Sequence, residues 1–419
     1  MTAAAVDASR PYVTITADTH AGATLDTYRE YLDARYREPF DAWREARRNP
    51  ARPKAGARKS KNWDTAERFA DQEADGVCGE VIFPNTVVPF YDKVPLIAGP
   101  PSAEQFEHAL AGIRAHNRWL AEWCQEEPVR RAGIGLILLN DIDEAIRDVR
   151  WIAEHHLRGG VLLPLPADDE KHVKPLYAPD YDRLWAVIQD CDLVVNQHGG
   201  AGSPGYGPYP AAEPLWILEV PFFSQRGFKQ LILSGVFERF PRLRYILTES
   251  GCSWVPPLLA RMDEVWMGMR AGMIGEMDYS RSAVLPQSPS YYARRNCWYG
   301  ASFPSPAEIV DRHHVGIERI LWGSDYPHYE GTFPYTREAL RLTFADVDPA
   351  ETRLMLGENA ARLYNFDLAA LAPIAQRVNV TPAMIAQPLQ DIPADATSPM
   401  LRQARLAALG THGQPKSAL

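Results

Sequence analysis

Residues 15–22, ITADTHAG, join a short apolar run to three polar residues. The isoleucine, threonine and alanine at the start of this segment favour a buried β-strand. Side chains two residues apart in a strand point to the same face of the sheet, so Asp18 and His20 are expected to lie together. The segment therefore predicts a strand that ends by presenting an acid and an imidazole in one direction.

Seven further apolar runs, each bounded by turn residues, follow along the chain. They are GVCGEVIFP (76–84), RAGIGLILLN (131–140), RGGVLLPLP (158–166), CDLVVNQH (191–198), RYILTES (244–250), NCWYGAS (296–302) and ERILWGSD (318–325). The runs are continuously apolar, as expected for parallel strands covered on both faces, and segments with helical spacing of apolar residues separate them. This alternation predicts an α/β fold, a TIM (β/α)8 barrel, with an open doubly wound sheet as the alternative.

The composition indicates a globular protein that acts on a small molecule. The chain has 419 residues, of which 46% are hydrophobic, and its net charge of −9 disfavours a nucleic-acid partner. No apolar run reaches the roughly 18 residues needed to cross a bilayer, and the first residues lack the features of a signal peptide, so we expect no membrane association and a cytoplasmic location. The five cysteines are odd in number and scattered, which disfavours a disulfide framework or a CxxC zinc site.

Three stretches fall outside the strand–helix alternation of the barrel, which we place over residues 12–365. Residues 44–62 are rich in arginine and lysine and predict a solvated insertion after the first strand, or alternatively a lid or an anion-binding clamp. Residues 199–214 form a Gly/Pro/Tyr loop that is either a pocket wall or a plain connection. Residues 366–419 predict a C-terminal helical arm that packs on the barrel or on a partner subunit, and we expect a homodimer.

Titratable side chains gather at the predicted carboxyl ends of the strands, which face the active site in a barrel. They are Asp18 and His20 at the first strand, His198 at the fifth, Glu249 at the sixth, and Asp325 and His328 at or just after the eighth. Crowded carboxylates and imidazoles would repel and desolvate one another unless metal ions neutralised them, so the pattern predicts a metal site. His328 lies past its strand and is alternatively a general base or a hydrogen-bond partner of Asp325.

Five motifs give the chain a family resemblance over most of residues 12–365. They are DTH (18–20), QHGG (197–200), GVFERFPRLRYILTESGCSWVP (235–256), GSDYPH (323–328) and GENAARLY (357–364). With these motifs the chain resembles the amidohydrolase superfamily, in the amidohydrolase-related branch that includes aminocarboxymuconate-semialdehyde and γ-resorcylate decarboxylases. The resemblance implies that Asp18, His20, His198 and Asp325 bind a metal ion.

Two departures from the family pattern bear on the chemistry. The fourth run, RGGVLLPLP, has no lysine, which excludes the carboxylated lysine that often bridges two metals in hydrolases of the superfamily. Decarboxylases of the branch generally carry a catalytic histidine at the sixth strand, where this chain has Glu249. Three carboxylates with one divalent ion leave a negative charge that favours protonating one acid, whereas two ions would make Glu249 a bridging ligand. Mixed carboxylate and imidazole ligands suit iron, manganese or zinc.

The residues support two functions. The superfamily resemblance includes nonheme diiron monooxygenases of bacterial terpenoid biosynthesis, and Glu249 with the absent lysine favours such an enzyme, which would use two iron ions and O₂ to hydroxylate a bulky apolar small molecule. The alternative is a zinc- or manganese-dependent decarboxylase or hydrolase of a small carboxylate. In either case Glu249 and His328 are the candidate catalytic residues. The candidate substrate contacts are Asn85, Tyr206, Trp216 and Asn296.

Overall fold

Eight parallel strands form the centre of the structure, a computed structural model that describes residues 10–47, 60–167, 170–277, 279 and 281–408. The strands are β1 (Ile15–Ala21), β2 (Gly79–Pro84), β3 (Arg131–Leu136), β4 (Gly160–Leu162), β5 (Val194–His198), β6 (Arg244–Thr248), β7 (Cys297–Ser302) and β8 (Ile320–Gly323). They are hydrogen-bonded in sequence order, β1 to β8, and every pair is parallel. All eight predicted strands are therefore present.

The segment that follows β8 closes the sheet against β1. The amide of Asp325 donates to the carbonyl of Asp18 at 2.9 Å, and the amide of His20 donates to the carbonyl of Tyr326 at 2.7 Å. Thr19 and Tyr326 form a parallel bridge. Because the two ends of the sheet meet, the TIM barrel is confirmed and the open sheet is excluded.

Helices alternate with the strands around the barrel. They are α1 (Leu25–Tyr31), α2 (Ala34–Ala46), α3 (Thr65–Asp75), α4 (Phe106–Gln125), α5 (Ile142–Glu154), α6 (Asp182–Asp190), α7 (Ala212–Leu233), α8 (Val236–Arg239), α9 (Val255–Ala271), α10 (Pro289–Asn296), α11 (Pro306–Val310), α12 (Arg312–Val315), α13 (Thr336–Phe344), α14 (Pro349–Arg353), α15 (Asn359–Tyr364), α16 (Leu368–Val378), α17 (Pro382–Ile385) and α18 (Pro399–Ala408). Among the described residues, no helix is both long and apolar enough to cross a membrane.

Strand β4 is much shorter than its apolar run. The predicted run extends over residues 158–166, whereas β4 ends at Leu162. Pro164 and Pro166 follow, and because proline has no amide hydrogen it cannot continue a ladder inside a sheet. The remaining apolar residues of the run, Leu163 and Leu165, are buried beyond the strand end, on the side of the barrel where the strands finish.

A buried ion pair fixes the position of β1 from outside the barrel. The guanidinium of Arg68 on α3 donates to the carboxylate of Glu80 on β2, and neither side chain is exposed to solvent. Arg68 Nη1 also donates to the carbonyl oxygen of His20 at 2.9 Å. The pair therefore connects a helix, a strand and the backbone of a candidate metal ligand.

The basic insertion and the C-terminal arm are described in part. Helix α2 reaches Ala46, and residues 48–59 of the predicted 44–62 insertion lie outside the described residues, so its proposed roles stay predictions. In the arm, Arg377 on α16 donates to Glu73 on α3 at 3.0 Å, and Asp395 accepts from Tyr335 at 2.7 Å. The described part of the arm thus contacts the barrel at α3 and beside α13.

Candidate metal centre

Three side chains from β1 and β5 converge at the carboxyl end of the barrel. Asp18 Oδ1 lies 3.3 Å from Nε2 of His20 and 3.3 Å from Nε2 of His198. All three side chains are almost completely buried. One carboxylate oxygen and two imidazole nitrogens thus face a common point, which is an arrangement that holds a metal ion.

Asp325 and His328 enlarge this cluster from the segment after β8. Asp325 Oδ1 lies 3.1 Å from His20 Nε2 and 2.7 Å from His328 Nδ1. The His328 ring stacks on the His20 ring with 3.9 Å between their centroids. The structure therefore brings together Asp18, His20, His198 and Asp325, the four residues that the family resemblance implies as ligands, and places His328 beside them.

Polar atoms of this cluster lack the partners that buried groups normally have. Within the described part of the chain, neither ring nitrogen of His20 and neither carboxylate oxygen of Asp325 has a hydrogen-bond partner. Such atoms are costly to bury unless something else satisfies them. A divalent cation among the carboxylate oxygens and imidazole nitrogens would satisfy them, so these residues fit a metal ion.

Electrostatics within the cluster lead to the same conclusion. Burial acts to lower the pKa of His20, but the Asp18 and Asp325 carboxylates outweigh it and raise this pKa to about 10. Burial acts to raise the pKa of Asp18, but His198 and His20 outweigh it and hold this pKa well below its usual range. The Asp18 carboxylate therefore stays ionised and attracts a positive charge, which a bound metal ion would supply in place of the extra imidazole proton.

Hydrogen bonds orient two of the candidate ligands. His198 Nδ1 lies 3.0 Å from the carbonyl oxygen of Gly199, which places the proton on Nδ1 and leaves Nε2 as the ligand atom facing Asp18. The hydroxyl of Ser302 donates to Asp18 Oδ2, so that Oδ1 remains directed at the two histidines. Ser302 was not among the predicted site residues, although it is the last residue of β7 and this position alone marks it as facing the site.

Glu249 lies on the solvent side of the cluster, directly after β6. Its Oε2 is 3.2 Å from His198 Nδ1, and its side chain is 25% exposed. Burial, with the nearby Asp325 and Asp18 charges, raises the pKa of Glu249 to about 8 against the opposing effect of His198. A substrate that enters the barrel mouth can therefore meet a protonated carboxyl group.

The backbone around Glu249 and Asp325 is unusual. Both residues adopt left-handed conformations, with φ of 56° and 59°. Non-glycine residues rarely do so, and strain of this kind is concentrated at functional sites. A Cβ atom at Gly199 would lie 2.6 Å from the carbonyl oxygen of Glu249, so only glycine allows β5 to end this close to it.

One further acid reaches the site. The exposed Glu330 brings a carboxylate oxygen within 4.8 Å of ligand atoms of Glu249 and Asp325. Glu330 was not among the predicted site residues, although it lies in the loop after β8, two residues beyond His328.

The structure places the four predicted substrate contacts at different distances from the metal cluster. Asn85 lies at the site, because its Oδ1 is 2.8 Å from His328 Nε2. Tyr206 donates to Glu219 on α7, and Trp216 packs near Gly200, two residues beyond His198, so both stay predictions. The prediction for Asn296 is wrong: its amide donates to the carbonyls of Pro241 and Leu243, at the amino end of β7 and away from the metal cluster.

An open vestibule of about 1160 Å³ leads to Asn85 from the outside. Its walls include Trp63, Tyr91 and two side chains of the α2 segment, Trp43 and Arg44. Because Asn85 contacts His328, the vestibule adjoins the metal cluster and is the candidate entrance for a small molecule.

Comparison with known proteins identifies the family. The sequence profile of the family described as amidohydrolase matches residues 89–366. The chain belongs to the amidohydrolase family. This membership confirms the superfamily resemblance, and the barrel with its ligand cluster at the carboxyl ends of the strands is consistent with it.

Several relatives and structural neighbours of this chain are decarboxylases. The γ-resorcylate decarboxylase of Rhodococcus jostii is 25% identical over 285 residues, which cover 62% of this chain and 78% of the relative. The structure of 5-carboxyvanillate decarboxylase LigW from Sphingomonas paucimobilis covers 86% of this chain and 100% of its own, with 22% identity and a TM-score of 0.59. The 5-carboxyvanillate decarboxylase of Novosphingobium aromaticivorans, complexed with manganese and 4-hydroxy-3-methoxy-5-nitrobenzoic acid, covers 84% of this chain and 96% of its own, with 18% identity and a TM-score of 0.64.

These findings correct the favoured functional prediction. The predicted diiron monooxygenase is wrong, because the relatives are decarboxylases and a structural neighbour holds manganese. The predicted iron and the second metal ion have no support in these proteins. In the structure, Glu249 lies beside His198, with its Oε2 3.2 Å from the Nδ1 that bonds to Gly199 and not from the Nε2 that faces Asp18.

Proposed function

We propose that this amidohydrolase is a divalent-metal-dependent decarboxylase of an aromatic carboxylate, with no requirement for O₂. The observation that carries the proposal is the convergence of Asp18, His20, His198 and Asp325 at the mouth of the barrel, where buried ligand atoms of His20 and Asp325 have no hydrogen-bond partner among the described residues. The identity to γ-resorcylate decarboxylase supports it. Manganese is the favoured ion because a structural neighbour binds it, and zinc suits the same ligands.

The four ligand residues have one task in this scheme, which is to hold a single cation. When bound, the ion polarises the oxygen atoms of a substrate carboxylate or phenol and so withdraws electrons from the ring. Ser302 keeps Asp18 Oδ1 directed toward the ion, and the Gly199 carbonyl keeps the Nε2 of His198 deprotonated.

Glu249 supplies the proton that the reaction consumes. Loss of CO₂ breaks the bond between the ring and the carboxyl carbon, and the electron pair of that bond stays on the ring carbon. A proton must then form the new C–H bond, and the Glu249 carboxyl group is the acid exposed to the substrate. Water reprotonates Glu249 through the open mouth. This role replaces the histidine that decarboxylases of the branch generally carry at the sixth strand.

His328 and Asn85 position the substrate from the opposite side. With Asn85 Oδ1 accepting from His328 Nε2, the Nδ1 of His328 faces Asp325. The Asn85 amide donates in turn to Asn62, so hydrogen bonds fix the orientation of this row of three side chains, His328, Asn85 and Asn62. A planar ring bound at the cluster would lie between this row and Glu249.

The proposal is tested by CO₂ release under nitrogen. Metal-free protein is loaded with Mn²⁺ or Zn²⁺ and incubated with 2,6-dihydroxybenzoate and with 5-carboxyvanillate, and a chelated sample serves as the control. We expect one CO₂ per acid consumed, only with metal and without O₂. Failure of both acids in the loaded enzyme, or consumption that needs O₂, would contradict the proposed function.

A further inference from the structure

A small cavity lies beside His198, one of the candidate metal ligands. Its volume is about 40 Å³. It is lined by residues that follow β3, β4 and β5, at the same end of the barrel as the metal ligands. The side chains that matter here are Leu136, Leu138, Leu163, Leu165, Ala201 and His198. We refer to this cavity as the leucine chamber.

The leucine chamber is built for an apolar group. The four leucines are between 1% and 7% exposed, and Ala201 is 8% exposed. None of the described residues that line it is aspartate, glutamate, lysine or arginine. The volume exceeds the ~10–15 Å³ that one water molecule needs, and polar side chains in the lining come from Tyr91, Asn140 and His198, while the rest of the lining is mainly aliphatic.

The leucine chamber and the vestibule adjoin each other near the metal cluster. Tyr91 lines both spaces. The chamber contacts the cluster at His198, whereas the vestibule reaches it at Asn85, which bonds to His328. A molecule that enters from the vestibule and binds at the cluster would therefore lie next to the chamber, at Tyr91 and His198.

We propose that the substrate ring carries a short alkyl substituent, which the leucine chamber binds and selects. This inference rests on the proposed decarboxylase function and specifies its substrate class as alkylated hydroxybenzoates. A methylene group that fills an apolar pocket changes specificity by about 10- to 200-fold. The chamber therefore accounts for a preference that the metal ligands, which contact only oxygen atoms, do not provide.

The test compares kcat/KM of the manganese-loaded enzyme for 2,6-dihydroxybenzoate and for its ring-methylated and ring-ethylated derivatives. We expect the best alkyl derivative to exceed the parent acid by roughly tenfold or more. Ala201→Leu fills the chamber and should lower that ratio by about tenfold, while Leu163→Ala enlarges it and should shift the preference toward a longer alkyl group. Val310→Leu, on the exposed surface of α11, is the control and should leave the ratio unchanged.

Binding separates this inference from the proposed function. Titration calorimetry measures the binding of phenol and of alkylphenols to the manganese-loaded protein, with and without Ala201→Leu. One outcome is that no acid is decarboxylated, yet alkylphenols bind about tenfold more tightly than phenol and lose this advantage in Ala201→Leu. This outcome would support the chamber proposal and contradict the decarboxylase proposal. Equal kcat/KM for parent and alkyl acids, or a ratio that neither chamber variant changes, would overturn the chamber proposal while leaving the decarboxylase proposal intact.

Discussion

At the scale of single residues, the chemistry depends on the environment of Glu249 more than on its identity. A glutamate among imidazoles and acids at a strand end is equally compatible with a metal ligand and with a proton donor. Its position beside His198, with burial that raises its pKa to about 8, favours the donor. Sequence alone does not contain this information, because burial is a property of the folded chain.

Glu249→Gln should abolish proton donation and leave the metal in place. The amide has nearly the same shape but no acidic proton, so we expect kcat to fall by about 10²- to 10⁴-fold. Reaction of the wild type in D₂O should place one deuterium at the ring carbon that lost CO₂, as measured by mass spectrometry. Glu154→Gln, at the exposed end of α5, is the matched control. Loss of bound manganese from Glu249→Gln would instead identify Glu249 as a ligand.

Ser302→Ala should weaken metal binding without removing a ligand. The Ser302 hydroxyl holds Asp18 Oδ2, and without it the carboxylate can rotate away from the two histidines. Losses of such supporting hydrogen bonds typically lower metal affinity by about 10- to 100-fold. Manganese affinity is measured by competition with a chelator, and Ser234→Ala, at the far end of α7, serves as the comparison. An unchanged affinity would show that Ser302 does not orient Asp18.

At the scale of secondary-structure elements, strand positions were predictable and site-supporting contacts were not. Each apolar run became a strand because a parallel barrel strand is buried on both faces. The role of Arg68 was not predicted, because a lone arginine in a helical segment looks like a surface residue. Only the fold shows that it donates hydrogen bonds to Glu80 and to the His20 carbonyl. Asn296 was misassigned because it precedes β7, at the end of the strand opposite the site.

Arg68→Met should destabilise the barrel strongly. It leaves the Glu80 carboxylate buried without its main partner, and breaking a buried ion pair on one side typically costs about 3–5 kcal/mol in the free energy of unfolding. Urea denaturation of the metal-free protein measures this loss. Arg47→Met, an exposed arginine paired with Asp92, should change stability by less than about 1 kcal/mol. Similar losses in the two variants would contradict the structural role of Arg68.

His116 on α4 should make the fold acid-sensitive. Burial lowers its pKa from 6.5 to about 3, so between these values the unfolded chain binds a proton that the folded chain does not. The neutral His116 makes its full contribution to the free energy of unfolding above about pH 6.5. As the pH falls below this value, the free energy of unfolding decreases by about 1.4 kcal/mol per pH unit. Urea denaturation measures the free energy of unfolding of the metal-free protein at pH 7 and at pH 5. The decrease from pH 7 to pH 5 should be about 2 kcal/mol larger in the wild type than in His116→Gln. Equal losses would show that His116 titrates normally in the folded state.

At the scale of the whole molecule, the barrel and its ligand set were accessible from sequence, while the reaction was not. The strand count and the ends at which Asp18, His198 and Asp325 sit follow from periodicity and from the geometry of parallel strands. The leucine chamber could not be predicted from the sequence, because Leu163 and Leu165 look like buried residues of a strand. Only the structure shows that β4 ends at Leu162, so that these two leucines line a cavity beyond the strand. Oxidative and nonoxidative enzymes can share such a barrel, so the choice needed the relatives as well as the site.

The central claim is that one divalent ion, held by the four convergent residues, enables decarboxylation. The most direct measurement is a titration of metal-free protein with Mn²⁺ while CO₂ release from a hydroxybenzoate is recorded under nitrogen. We predict that activity rises linearly to one equivalent of metal per chain and then stays constant. CO₂ release that is independent of Mn²⁺, or a rise that continues to two equivalents, would contradict the account.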